Sequence, residues 1–130
     1  MIRRFIFLAI IAAVAVPFLL ATAGDGAWLK NIPAKYRVRP NPFAHDPKAV
    51  AAGAKLFHQD CANCHGADGM GINQRPNLQS DRIRKATPGE LEWLLTNGSM
   101  RNGMPSWSRL PEPQRWQIVS YLKDMVKQEK

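Results

Sequence analysis

The only two cysteines of the chain stand three residues apart, and a histidine directly follows the second: Cys61-Ala62-Asn63-Cys64-His65. No other feature constrains the fold as strongly. A disulfide between Cys61 and Cys64 would close a very short loop, which gains little chain entropy and fits disulfide geometry poorly. A zinc site would need two more ligands, and outside this run only His45 and His58 remain as histidines, with no second C-x-x-C. A thioredoxin-like dithiol expects a βαβ context, and no alternating strand pattern is present. The run is instead the C-x-x-C-H signature of covalent haem attachment. The spacing suits that chemistry. Two thiols reach two neighbouring vinyl groups on one porphyrin edge, and the adjacent histidine turns its imidazole under the iron.

The rest of the chain supplies helices for such a domain. Asp46-Pro47 is a helix start, with Asp as N-cap and Pro at the first helical position; Val50, Ala54, Phe57 and Cys61 follow at helical spacing. Thr87-Pro88-Gly89-Glu90 is a capping-box pattern that opens a second helix with Leu91, Leu94 and Leu95 as its apolar stripe, and Asn97-Gly98 stops it. A last helix runs over residues 112–127, with Ile118, Val119, Leu122, Met125 and Val126 as its buried stripe. Residues 66–86 read as loop and residues 99–111 as irregular. Trp93 and Trp116 are expected in the core. The fold class is all-α.

Two segments precede the domain, which is placed at residues 47–130. Residues 1–4 carry Arg3 and Arg4, and residues 5–23 carry no charge, ending in Ala21-Thr22-Ala23 before Gly24. This is the pattern of a cleaved signal peptide; an uncleaved anchor, holding the protein at the inner membrane through residues 5–23, is its rival. In both cases Arg3 and Arg4 stay cytoplasmic and the domain is exported to the periplasmic side. Residues 24–46 contain Pro33, Pro40 and Pro42 and lack helical periodicity. They read as a proline-containing extended lead-in, either a disordered linker or a strap packed through Trp28, Ile32, Tyr36 and Phe43. The formal charge is +8; without Arg3 and Arg4, 16 basic against 10 acidic residues leave +6. No basic helix and no Lys/Arg run appears, so nucleic-acid binding is not supported, and the charge fits a solvated surface or docking to acidic redox partners.

Downstream of the attachment run, further residues fall into a known pattern. They are Gly53…Phe57…Cys61-x-x-Cys64-His65-Gly66, then Arg75-Pro76-Asn77-Leu78, then Asn97-Gly98…Gly103-Met104-Pro105, then Trp116-x-Ile118-Val119-x-Tyr121-Leu122. Over residues 51–127 the chain resembles the class I cytochrome c family. The resemblance implies a cytochrome c-like fold, with three to four helices around one covalently attached haem c. It implies that Gly53, Phe57 and Tyr121 make the contact where the first and last helices cross. It also implies that Cys61 and Cys64 hold the haem, that His65 binds the iron, and that the Pro76 carbonyl orients His65. Met104, in its Gly-Met-Pro triplet, is the implied distal ligand, ahead of Met100 and Met70. Trp107 covers the haem edge or belongs to the core. Arg75 pairs with a haem propionate or lies in solvent.

An iron with both axial ligands supplied by protein has no open position for a reactant. The expected function is therefore single-electron transfer by a periplasmic monohaem carrier, not an enzyme, which meets redox partner proteins through an exposed haem edge. Two alternatives remain open: a haem c subunit of a periplasmic dehydrogenase or terminal oxidase complex, and a five-coordinate sensor or peroxidase if Met104 does not ligate.

Overall fold

The computed structural model describes residues 27–127. The expected signal or anchor segment, residues 1–23, lies outside them. Among the described residues no helix is long and apolar enough to cross a membrane. The elements run α1 (Ala27–Lys30), α2 (Ala34–Arg37), α3 (Pro47–Asp60), α4 (Ala62–His65), α5 (Asp81–Lys85), α6 (Pro88–Asn97), a 3-10 turn (Met100–Asn102) and α7 (Glu112–Met125). The described residues form no strand beyond an isolated antiparallel bridge between Ser99 and Met104. The fold is all-α. Helices α3, α6 and α7 are the expected framework, α5 is a short addition to it, and α1, α2 and α4 are single turns.

Local chemistry sets the helix ends. The Asp46 side chain accepts from the Lys48 amide at 2.9 Å, with Pro47 opening α3. The capping box of α6 is complete: the Glu90 amide donates to Thr87 Oγ1 at 3.2 Å, and the Thr87 amide donates to Glu90 Oε2 at 2.8 Å. Each end thereby satisfies donors that a helix start otherwise leaves orphaned.

The principal packing is α3 across α7. Gly53 allows it, because a Cβ there would collide with the Gln117 carbonyl oxygen of α7. Beside it the rings of Phe57 and Tyr121 lie 5.3 Å apart, tilted by 55°. Phe57, Ile118 and Val119 are fully buried, and Leu91 and Leu95 of α6 extend the same core. Burying each such side chain contributes about 1.5–3 kcal/mol.

Three expectations need correction. Residues 66–86 are not loop throughout, since α5 lies within them; Lys123 of α7 donates from Nζ to the carbonyls of Ile83, Arg84 and Ala86 at 3.2, 2.7 and 2.9 Å and holds its C-terminal end. Residues 24–46 are not simply extended. Over the described part they form α1 and α2, because Arg37 donates to the Leu29 and Ile32 carbonyls (2.6 and 3.2 Å) and draws the two turns together. Trp116 is buried as expected, but Trp93 is only partly buried. Its neighbour Glu92, 2% exposed, takes the inward position, where Arg39 and Arg115 meet its carboxylate at 3.2 and 2.9 Å.

Candidate haem pocket

The α3 helix ends at Cys61, whose amide still donates to the Phe57 carbonyl at 2.8 Å. The chain turns at once into α4, with the amides of Cys64 and His65 both reaching back to the Cys61 carbonyl, at 3.1 and 3.0 Å. One helical turn thus delivers two thiols and an imidazole to the same place. Both cysteines are free thiols; Cys61 is half-buried and Cys64 exposed. Burial, aided by the charges of Asp60 and Cys64, pushes the Cys61 thiol up to about 12. A raised value is the opposite of the lowered one that marks a reactive dithiol.

His65 Nδ1 lies 3.2 Å from the Pro76 carbonyl oxygen. A carbonyl only accepts, so Nδ1 carries the hydrogen and the Nε2 lone pair remains for a metal. Burial lowers the His65 pKa below its ordinary value; the bond to Pro76 opposes that shift and the Arg75 guanidinium adds to it. The ring is neutral near pH 7, the form that ligates iron.

A cavity of about 620 Å³ opens here, and Cys61, Cys64, His65, Pro76 and Met104 all line it. All five residues singled out from the sequence are thus brought together. Met104 comes from the far side of the chain. Its amide donates to the Ser99 carbonyl and its carbonyl accepts from the Ser99 amide, at 3.1 and 2.8 Å, which closes a small loop around the 3-10 turn. Met104 is partly buried against the core, whereas Met100 is 74% and Met70 48% exposed.

The two open questions about neighbours resolve into mixed roles. Trp107 both lines the cavity and packs on the core; the Arg109 guanidinium stacks on its ring at 4.1 Å and bonds Asp60 at 3.2 Å. Arg75 is exposed, lines the cavity and donates to the Asn102 carbonyl at 3.0 Å. Sequence reasoning missed Ile83 and Leu94 as cavity walls and did not connect Trp28 with the cavity. Leu94 was legible as apolar; nothing local distinguishes the wall of a cavity from plain core.

The donor set fits a covalently held haem. Two unoxidised thiols flank an imidazole whose outer nitrogen is already engaged, at the mouth of a cavity with apolar walls and a thioether. Cys61 and Cys64 would hold the group, with His65 and Met104 as the candidate iron ligands.

Comparison with known proteins agrees. The family model described as cytochrome c oxidase, cbb3-type, subunit III matches residues 48–122. The chain is 35% identical over 83 residues to the cbb3-type cytochrome c oxidase subunit CcoP of Rubrivivax gelatinosus, covering 62% of this chain and 27% of that one. It is 32% identical over 88 residues to the quinohemoprotein alcohol dehydrogenase ADH-IIG of Pseudomonas putida, covering 65% and 12%. It is 31% identical over 91 residues to cytochrome c550 of Pseudomonas aeruginosa, covering 65% and 61%. The matched part of the chain therefore spans less than two thirds of each of these relatives. From the motif, the fold and this match, the chain belongs to the cbb3-type subunit III family and is a class I c-type cytochrome with covalently bound haem c.

Proposed function

We infer that the protein is an exported one-electron carrier with a single haem, attached through Cys61 and Cys64 and ligated by His65 and Met104. One observation carries this reading: a single cavity collects both thiols, the pre-oriented imidazole and the Met104 thioether from segments far apart in sequence. When bound, haem supplies a one-electron Fe(III)/Fe(II) couple. The chain supplies the setting. The Pro76 carbonyl fixes the His65 ring and strengthens its donation. A thioether at the other axial position raises the reduction potential relative to a second imidazole. With both positions filled by protein, no site is left for a substrate, so the protein exchanges electrons without binding a reactant. Cys64, exposed at the cavity mouth, marks the edge through which partners approach. The basic balance of residues 24–130 favours acidic partners. The domain, from residue 47 onward, works on the periplasmic side, where residues 1–23 direct it by cleavage before Gly24 or by anchoring it.

A second reading keeps the same chemistry in another setting, as the haem c subunit of an oxidase or dehydrogenase complex. The similarity to short stretches of CcoP and of a quinohemoprotein dehydrogenase favours it. Size exclusion of a native extract separates a free carrier from a subunit.

The ligand assignment is tested by substitution. Met104→Ala abolishes the weak long-wavelength charge-transfer band expected for Fe(III)–thioether bonding, admits carbon monoxide or cyanide, and lowers the potential. Met100→Ala leaves all three unchanged. The reverse pattern would overturn the assignment, and no effect from either would point to the sensor or peroxidase class.

A further inference from the structure

Residues 27–46 precede the segment that matches the family model, yet they are tied firmly to it. Arg37 bonds the Leu29 and Ile32 carbonyls and pairs with Glu90 of α6 at 3.4 Å. Arg39 pairs with the buried Glu92 of α6 and with Glu112 of α7, and its guanidinium lies 5.2 Å from the Trp116 ring. Asn41, itself buried, donates to the Trp116 carbonyl at 3.2 Å and to Ser120 Oγ at 2.9 Å. Ile32 is buried between these anchors and the start of the strap. The upstream end of this strap carries Trp28, which packs on the core and lines the same cavity as Cys61, His65 and Met104.

We propose that residues 27–41 form a strap that seats Trp28 as an apolar wall of the haem pocket, and that Trp28 raises the reduction potential by keeping water from the haem. The inference rests on the pocket being the haem site. Its physical basis is the dielectric surrounding. Oxidised haem iron carries one more positive charge than reduced iron, and water stabilises that charge better than an indole does. An apolar shell that limits solvent access therefore favours the reduced form. An indole is the largest apolar surface a single residue can offer. Arg37 acts differently: it is not among the residues that line the cavity, and it holds the two turns that present Trp28 while pairing with Glu90 of α6.

The test is a spectroelectrochemical titration of the full-length holoprotein as wild type, Trp28→Ala, Trp28→Phe and Arg37→Ala. Trp28→Ala should shift the Fe(III)/Fe(II) equilibrium toward the oxidised form by about threefold, roughly 28 mV at 59 mV per tenfold for one electron. Trp28→Phe should retain most of the wild-type potential, and Arg37→Ala should shift it in the same direction as Trp28→Ala. The charge-transfer band should be unchanged in all four. If Trp28→Ala does not accumulate as holoprotein, Arg37→Ala reads the same effect with Trp28 intact. A wild-type potential in Trp28→Ala and Arg37→Ala would overturn the proposal. So would equal shifts in Trp28→Ala and Trp28→Phe, or loss of the band. A wild-type protein without covalent haem would instead defeat the pocket reading itself, before any Trp28 variant is compared.

Discussion

The segment that brings His65 to the pocket and the segment that brings Met104 are held by different kinds of structure. Around His65 the backbone is knitted to itself. The Gly71 amide donates to the His65 carbonyl at 2.8 Å, the Leu78 amide to the Gly69 carbonyl at 2.7 Å, and the Gly69 amide to the Gly66 carbonyl at 3.0 Å. The Gln79 side-chain amide closes the loop on the Asp68 carbonyl at 2.6 Å. Around Met104 the bonds are shorter in reach: besides the bridge to Ser99, the Asn102 and Gly103 amides donate to the Ser99 and Met100 carbonyls, both at 2.9 Å, the Asn102 side chain donates to Ser99 Oγ at 2.8 Å, and the exposed Arg75 side chain donates to the Asn102 carbonyl. Two covalent attachments and a fixed imidazole need a rigid frame. A thioether on a flexible side chain tolerates a lighter one. The difference teaches that the motif end of the site is built into the fold, while the methionine end is placed against it.

The largest effect should come from the motif end. The Cys61→Ala, Cys64→Ala double variant should lose haem completely on denaturing electrophoresis followed by haem staining, whereas Met104→Ala should keep its haem. Equal retention in both would remove the asymmetry.

Two glycines give a sharper contrast at intermediate size. Gly71 (φ +86°) and Gly103 (φ +73°) both adopt the left-handed region. A Cβ on Gly71 would collide with the Arg75 carbonyl oxygen, which is backbone and cannot yield. A Cβ on Gly103 would meet the end of the Arg75 side chain at 2.6 Å, which can swing away. Gly71→Ala should therefore cost about 3 kcal/mol, from conformational strain plus overpacking. Gly103→Ala should cost about 1 kcal/mol, from strain alone. Denaturant melts of the holoprotein measure both, and equal costs would show that the Met104 loop is as rigid as its counterpart.

The smallest effect belongs to Arg75→Ala. Losing an exposed hydrogen bond should cost about 0.5 kcal/mol of global stability. Its visible consequence is local: hydrogen exchange should quicken at the Met104 amide and stay unchanged at the Gly71 amide. Faster exchange at both would mean that Arg75 braces the two sides together.

Much of this was legible in the sequence because its signals are local. Asp46-Pro47 and the Thr87–Glu90 box mark helix starts within four residues, and the C-x-x-C-H run fixes the attachment site within five. What escaped depends on long-range partners. Nothing near Glu92 in the sequence announces burial; Arg39 and Arg115, arriving from elsewhere, neutralise the charge that burial would otherwise penalise. Helix α5 was missed because Asp81–Lys85 is too short for a hydrophobic period and takes its support from Lys123. Trp28 lay in a proline-bearing stretch whose two turns are joined by Arg37, a contact that no local pattern announces. The methionine loop was legible only as far as the resemblance reached, through the Gly103-Met104-Pro105 triplet.

The contact between Arg39 and Glu92 also separates the matched segment from the cooperative unit. The segment that matches the family model begins at residue 48, but a buried carboxylate inside it faces a guanidinium that comes from before it. Trimming the chain to the matched segment would remove that guanidinium and leave Glu92 to Arg115 and the Thr96 hydroxyl. The unit that folds here is therefore longer than the segment that the family model matches, and its first residues belong to its thermodynamics as fully as its helices do.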